Sequence, residues 1–117
     1  MKKILIIDDD IHFLTILQTP LEAAGHQVKT TTDGQSGVSL TFEWHPDLII
    51  TDLEMPVTDG IDTILTLRSK GYRGKIAVLT GASGGGNTVK AVKAGANHIL
   101  VKPLEGSVTA IIGSLFE

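Results

Sequence analysis

Cysteine is absent from this 117-residue chain, which excludes disulfides, thiolate zinc sites and cysteine nucleophiles. The absence suits a reducing compartment. Long apolar runs are missing too. Lys2 and Lys3 precede only the short run Ile4 to Ile7, which meets three aspartates, whereas a secretory core needs about 7 to 15 apolar residues. Nothing approaches the ~20 apolar residues of a membrane span, so the expectation is a soluble, cytoplasmic protein without membrane contact. Basic excess is also lacking. The net charge is −3 and the ten Lys and Arg are scattered, so direct binding of nucleic acid is disfavoured.

What is present is an ordinary globular composition, 42% hydrophobic and 20% charged, in a length suited to a single domain over residues 1–117. Short apolar runs alternate with longer amphipathic ones, the pattern of βα units around a parallel sheet. The runs predict strands near 3–8, 27–31, 47–51, 75–79 and 98–101, with helices near 10–24, 35–44, 60–70, 87–94 and 105–116. Ile76, Ala77, Val78 and Leu79 do not alternate with polar residues, as expected of a strand covered on both faces.

Several boundaries carry local physics. Asp10 and Asp59 stand where N-caps belong, and Gly25, Gly71 and Gly95 where left-handed C-terminal caps belong. Pro20 removes one hydrogen bond from the first helix and predicts a kink near Thr19. The run Gly84, Gly85, Gly86 predicts a fourth helix that starts late or frays, at about 1 kcal/mol per glycine relative to alanine. Trp44, Phe13, Phe42 and Phe116 read as helix faces packed on the sheet.

The chemistry gathers at strand ends. The first strand runs into Asp8, Asp9 and Asp10, the third into Asp52, the fourth into Thr80 and the fifth into Lys102 and Pro103. In a parallel sheet these ends share one edge, where open α/β sheets place their ligands. Asp8, Asp9, Asp52 and Lys102 have a formal sum of −2, which one Mg²⁺ would neutralise with the oxygen ligands that ion prefers. A dication, a free carboxylate, an ammonium and a hydroxyl form a set suited to phosphoryl transfer, with Asp52 as nucleophile.

Asp8 and Asp9, the segment from Asp52 through Leu53, Glu54, Met55, Pro56, Val57, Thr58 and Asp59 to Gly60, Thr80, and Gly95, Ala96 through Lys102 and Pro103 together resemble the receiver domain of two-component response regulators. The likeness covers essentially the whole chain. It implies a doubly wound, flavodoxin-like fold with strand order 2-1-3-4-5 and five flanking helices. It also implies that Asp52 accepts a phosphoryl group from a histidine kinase or phosphotransfer protein, with Mg²⁺, or Mn²⁺ as the alternative ion. Asp9, Asp52 and the backbone carbonyl of Glu54 would ligate the metal, Asp8 would act through water, and Lys102 would pair with the phosphoryl oxygens. The Lys102–Pro103 peptide would be cis.

As a receiver, the chain would be a self-phosphorylating and self-dephosphorylating signalling module rather than a turnover enzyme. It would act on an unidentified downstream protein through the face of helix 4, strand 5 and helix 5, as a monomer or a phosphorylation-dependent dimer. It would be either a stand-alone receiver or a piece of a longer regulator. Thr80 and the residue three before Lys102 would form the switch. Receivers usually carry an aromatic at that second position, and here it is Ile99. With the glycine run nearby, the expectation is that phosphorylation changes order in residues 83–90.

Plainer roles accompany these. Asp10 reads as a helix cap, Glu54 as a solvated side chain with only its carbonyl recruited, and His12, His26, His45 and His98 as solvated or capping residues. A competing reading is an aspartyl-phosphate phosphohydrolase, whose D-x-D-x-[TV] pattern is met by Asp8 and Asp10 but broken at His12. A flavodoxin-like cofactor binder is the third, disfavoured by three acids where a phosphate loop belongs.

Overall fold

The computed structural model describes residues 1–55, 59–81 and 85–116. Pro56 and Gly84 therefore lie outside the described residues, as do 57–58 of the Asp52 to Gly60 segment and residue 83 of the segment expected to change order. Five strands alternate with five helices: β1 Lys3–Ile7, α1 Ile11–Ala23, β2 Gln27–Thr31, α2 Gly34–Trp44, β3 Leu48–Asp52, α3 Gly60–Ser69, β4 Lys75–Thr80, α4 Gly85–Ala94, β5 His98–Val101 and α5 Val108–Ser114. All strand pairs are parallel, in the order β2-β1-β3-β4-β5. This is the expected doubly wound sheet.

Side chains alternate across a strand, so each buried strand feeds two cores. Ile4 and Ile6 of β1, Ile50 of β3 and Leu79 of β4 pack with Leu14, Leu17 and Leu21 of α1 and Ile112 of α5. Leu5, Ile7, Ile49, Ile76 and Val78 face the other way, onto Ile64 and Leu67 of α3 and Ala91 and Ala94 of α4. Burial on both faces explains why these strands read as unbroken apolar runs.

The caps follow their local chemistry. Asp10 accepts from the amides of His12 and Phe13, Asp59 from Ile61, and Gly25, Gly71 and Gly95 adopt positive φ of 97°, 97° and 125°. Asp33 and Ser107 cap α2 and α5, roles not assigned from sequence. Helix α1 runs through Pro20 as one element; the lost donor would have served the Ile16 carbonyl, on a turn whose side chain is exposed.

Three expectations need correction. Helix α4 begins at Gly85, inside the glycine run rather than after it; amides of a first turn have no intrahelical acceptor, which softens the cost of glycine there. Helix α5 begins only at Val108, because Gly106 takes a φ of 89° and Ser107 supplies the cap. Phe42 is exposed rather than packed, whereas Phe13 is buried.

Candidate functional site

The ladder registers bring the strand ends together. Ile7 is paired with both Thr31 and Thr51, Asp52 with Leu79, and Thr80 with Val101. Pairing continues past the strands, since the Leu53 amide donates to the Leu79 carbonyl at 2.9 Å and the Lys102 amide to the Thr80 carbonyl at 2.8 Å. Asp8, Asp52, Thr80 and Lys102 are thus placed by backbone geometry at one rim.

Asp8 is fully buried and Asp52 is 4% exposed, while Asp9 faces solvent. The Lys102 ammonium donates to Asp8 Oδ2 at 2.8 Å and to Asp52 Oδ2 at 3.3 Å. The other oxygen of each carboxylate also has a donor: Asp8 Oδ1 accepts from the Asp10 amide at 2.9 Å, and Asp52 Oδ1 from the Glu54 amide at 3.1 Å. Burial raises the Asp52 carboxyl above the usual carboxylate range, with the Asp8 charge adding to it; the Glu54 amide and Lys102 oppose without cancelling. Burial would lower the Lys102 ammonium, but the Asp8 hydrogen bond and the charges of Asp52 and Asp8 outweigh it, so it lies above its ordinary value.

One oxygen from each of Asp8, Asp9 and Asp52 lies within 4.8 Å of the others. An all-carboxylate donor set, partly open to water through Asp9, fits a hard dication such as Mg²⁺ and not a thiolate- or imidazole-seeking metal. No histidine joins this group among the described residues.

Sequence reasoning missed two participants. The Glu54 carboxylate, expected in solvent, accepts from the Thr80 hydroxyl at 2.9 Å through Oε1 and from the Gly81 amide at 3.3 Å through Oε2. Nothing in the sequence announced this, because it depends on the rotamer that carries the Glu54 side chain to the end of β4. Phe13 lies beneath Lys102, with the ammonium 4.4 Å from its ring centroid. Its place one turn into α1, after the acidic loop, was the available signal. Asp10 is occupied as a cap, so the Asp8 and Asp10 pair of the phosphohydrolase pattern does not assemble.

Ile99 of β5 is half-buried against the α3 and α4 core and lines an open groove of about 340 Å³ with Thr88, Val89, Val92 and Lys93. Beside it Val89, Val92 and Val101 are exposed. The Lys102–Pro103 peptide is cis.

Residues 4–111 match the model of the response regulator receiver domain. The chain belongs to that family. It is 35% identical over 101 residues to the transcriptional regulatory protein PrrA of Mycobacterium leprae, covering 86% of this chain and 43% of that protein. It is 34% identical over 102 residues to the alkaline phosphatase synthesis transcriptional regulatory protein PhoP of Bacillus subtilis, covering 87% and 42%. The chain thus spans less than half the length of these curated relatives. Among solved structures, the chemotaxis protein CheY4 of Vibrio cholerae aligns with a TM-score of 0.89 at 27% identity, covering 99% of this chain and 97% of that one. A receiver domain protein from Clostridium thermocellum aligns at 0.88 and 28%, covering 99% and 92%. This receiver has no helix, among the described residues, that is long and apolar enough to cross a membrane.

Proposed function

We propose that Asp52 is the phosphoacceptor of this receiver, taking its phosphoryl group from a histidine kinase or a phosphotransfer protein. The observation that carries this reading is the Asp52 carboxylate itself, nearly buried at the end of the central strand yet held by Lys102 and the Glu54 amide within reach of Asp8 and Asp9. An Asp52 oxygen forms a bond to phosphorus as the donor's phosphorus–nitrogen bond breaks. The departing imidazole keeps the bonding pair, and the product is an acyl phosphate.

Lys102 would turn from Asp52 toward the new phosphoryl oxygens, retaining Asp8 as its second partner, and the Thr80 hydroxyl would donate to another oxygen. Asp9, Asp52 and the Glu54 carbonyl would hold Mg²⁺ or Mn²⁺, with Asp8 acting through water. When bound, the ion would supply the positive charge that a transferring phosphoryl group requires. The chain is a signalling module that phosphorylates and dephosphorylates itself, not a turnover enzyme.

Its output is a changed protein contact through α4, β5 and α5, supported by the exposed Val89, Val92 and Val101. PrrA and PhoP are named as transcriptional regulators and are more than twice as long as the match, which favours output through other protein segments or partners over direct nucleic-acid binding by this domain. The test is incubation with phosphoramidate and Mg²⁺ followed by intact mass. One labile phosphoryl group should appear and be lost in Asp52→Asn; an adduct that survives this substitution refutes the assignment.

A further inference from the structure

Glu54 is an exposed loop residue, yet both of its carboxylate oxygens are engaged. The donors are a hydroxyl and a backbone amide from consecutive residues at the end of β4, converging on one anion. The hydroxyl has one further contact, local and longer, 3.3 Å to the Gly81 carbonyl. Holding a flexible glutamate side chain in one geometry costs rotamer entropy that a solvated carboxylate keeps. The donors at Thr80 and Gly81 therefore form an anion-accepting pair, and Glu54 fills it.

The same residue touches the nucleophile. Its amide donates to Asp52 Oδ1 at 3.1 Å, so three hydrogen bonds of one residue link Asp52 to the donor pair. Register places that pair just beyond Leu79, the strand partner of Asp52. A phosphoryl group on Asp52 brings further acceptor oxygens and added negative charge to this rim. It cannot share two donors with a carboxylate without like-charge repulsion.

We propose that the Glu54 carboxylate is a resident anion that occupies the Thr80 and Gly81 donors in the unphosphorylated state and competes there with phosphodonors. The inference rests on Asp52 being the phosphoacceptor. Displacement of Glu54 is then the first structural consequence of phosphorylation. Gly81 exchanges an anion anchored to the β3–α3 connection for one anchored to Asp52, and the start of the β4–α4 connection is retethered.

The test compares the wild-type chain with Glu54→Ala and Glu54→Gln. Initial rates of adduct formation are measured by intact mass across a phosphoramidate series with Mg²⁺, and the Gly81 amide proton is followed by NMR without phosphodonor. Glu54→Ala should phosphorylate severalfold faster at low donor, with the advantage shrinking toward saturation, and Glu54→Gln should fall between. The Gly81 resonance should move upfield in Glu54→Ala and return downfield on phosphorylation. An unmoved Gly81 resonance, or equal or slower phosphorylation of Glu54→Ala at low donor, overturns the inference while leaving Asp52 as acceptor. No adduct on any of the three proteins overturns the phosphoacceptor reading and this inference with it.

Discussion

The Lys102 ammonium stands 4.4 Å from the centroid of the Phe13 ring while it donates to Asp8 at 2.8 Å. The lysine is thus bounded by carboxylate and by the negative face of an aromatic ring. Phe13 owes its place to Asp10, whose carboxylate accepts from the Phe13 amide at 3.3 Å and starts α1. Asp10, whose amide also donates to Asp8, therefore starts the helix that brings this ring against the site's lysine.

A double-mutant cycle measures that contact. Phe13→Leu keeps apolar volume but removes the ring quadrupole, and should destabilise the protein by about 1 kcal/mol in urea unfolding. Placed in a Lys102→Met background, most of that loss should vanish, leaving a coupling of about 0.5–1 kcal/mol. A cost independent of residue 102 would show that the ring only fills space.

Asp8 and Asp9 are adjacent in sequence and differ sharply in setting. Asp8→Asn removes a buried charge from a bonded lysine and should cost about 1–3 kcal/mol without metal. Asp9→Asn changes an exposed carboxylate, relieving only the repulsion within the acidic group; its metal-free melting temperature should rise slightly. Mg²⁺ should raise the melting temperature of the wild-type chain and leave Asp9→Asn unmoved. Thermal melts with EDTA and with Mg²⁺ distinguish the two aspartates; a large metal-free loss in Asp9→Asn would contradict this division.

The raised Asp52 carboxyl makes stability depend on pH in a defined direction. Folding favours its protonated form, so ionisation carries no penalty below about pH 3.8, a growing one as pH rises through the elevated folded value, and the full one at neutral pH. Metal-free Asp52→Asn should accordingly be more stable than the wild-type chain near pH 7. The gap should close toward about pH 4. Urea midpoints across that range give the answer, and a gap that widens on acidification would reverse the sign of the argument.

How much of this was legible beforehand follows from where the information lies. The apolar runs ending in Asp8, Asp52, Thr80 and Lys102 specified strands and rim, because strand period and strand ends are local properties, whereas the strand order came from the family resemblance. Asp10, Asp59 and the three capping glycines were legible for the same reason. The Glu54 carboxylate on Thr80 and the ring of Phe13 under Lys102 were not, since each joins segments far apart in sequence through side-chain rotamers. The late start of α5 depended on Gly106 taking positive φ, which its residue type permits but does not require.

Arg68 belongs to the illegible class and lies away from the site. Its guanidinium donates to the carbonyls of Gly95, Tyr72 and Gly74 and to Asn97 Oδ1, clasping α3 to the ends of the turns before β4 and β5. Arg68→Ala strands several carbonyls and should cost about 2–4 kcal/mol, and Arg68→Lys, lacking the planar fork, should recover less than half. Phosphorylation of the folded fraction should be unchanged in both, so denaturation and intact-mass assays on the same samples separate stability from chemistry.

Gly60 offers the opposite case, a residue whose smallness acts on the proposed phosphoacceptor, Asp52. It opens α3, and a Cβ there would meet the Asp52 carbonyl and lie 2.7 Å from Leu53 Cα. Both are backbone atoms of the segment that carries Asp52, so neither can rotate aside as a side-chain tip could. Gly60→Ala must push α3 away from the end of β3 or shift β3 itself. The gain in helix propensity, about 1 kcal/mol, is outweighed by overpacking, and the protein should lose about 1–3 kcal/mol. A displaced Asp52 also loses alignment with Lys102, so the phosphorylation rate of the folded protein should fall as well. Unlike Arg68→Ala, this variant should therefore fail both assays. A Gly60→Ala protein with normal stability and rate would show that α3 docks loosely and that β3 alone positions the acceptor.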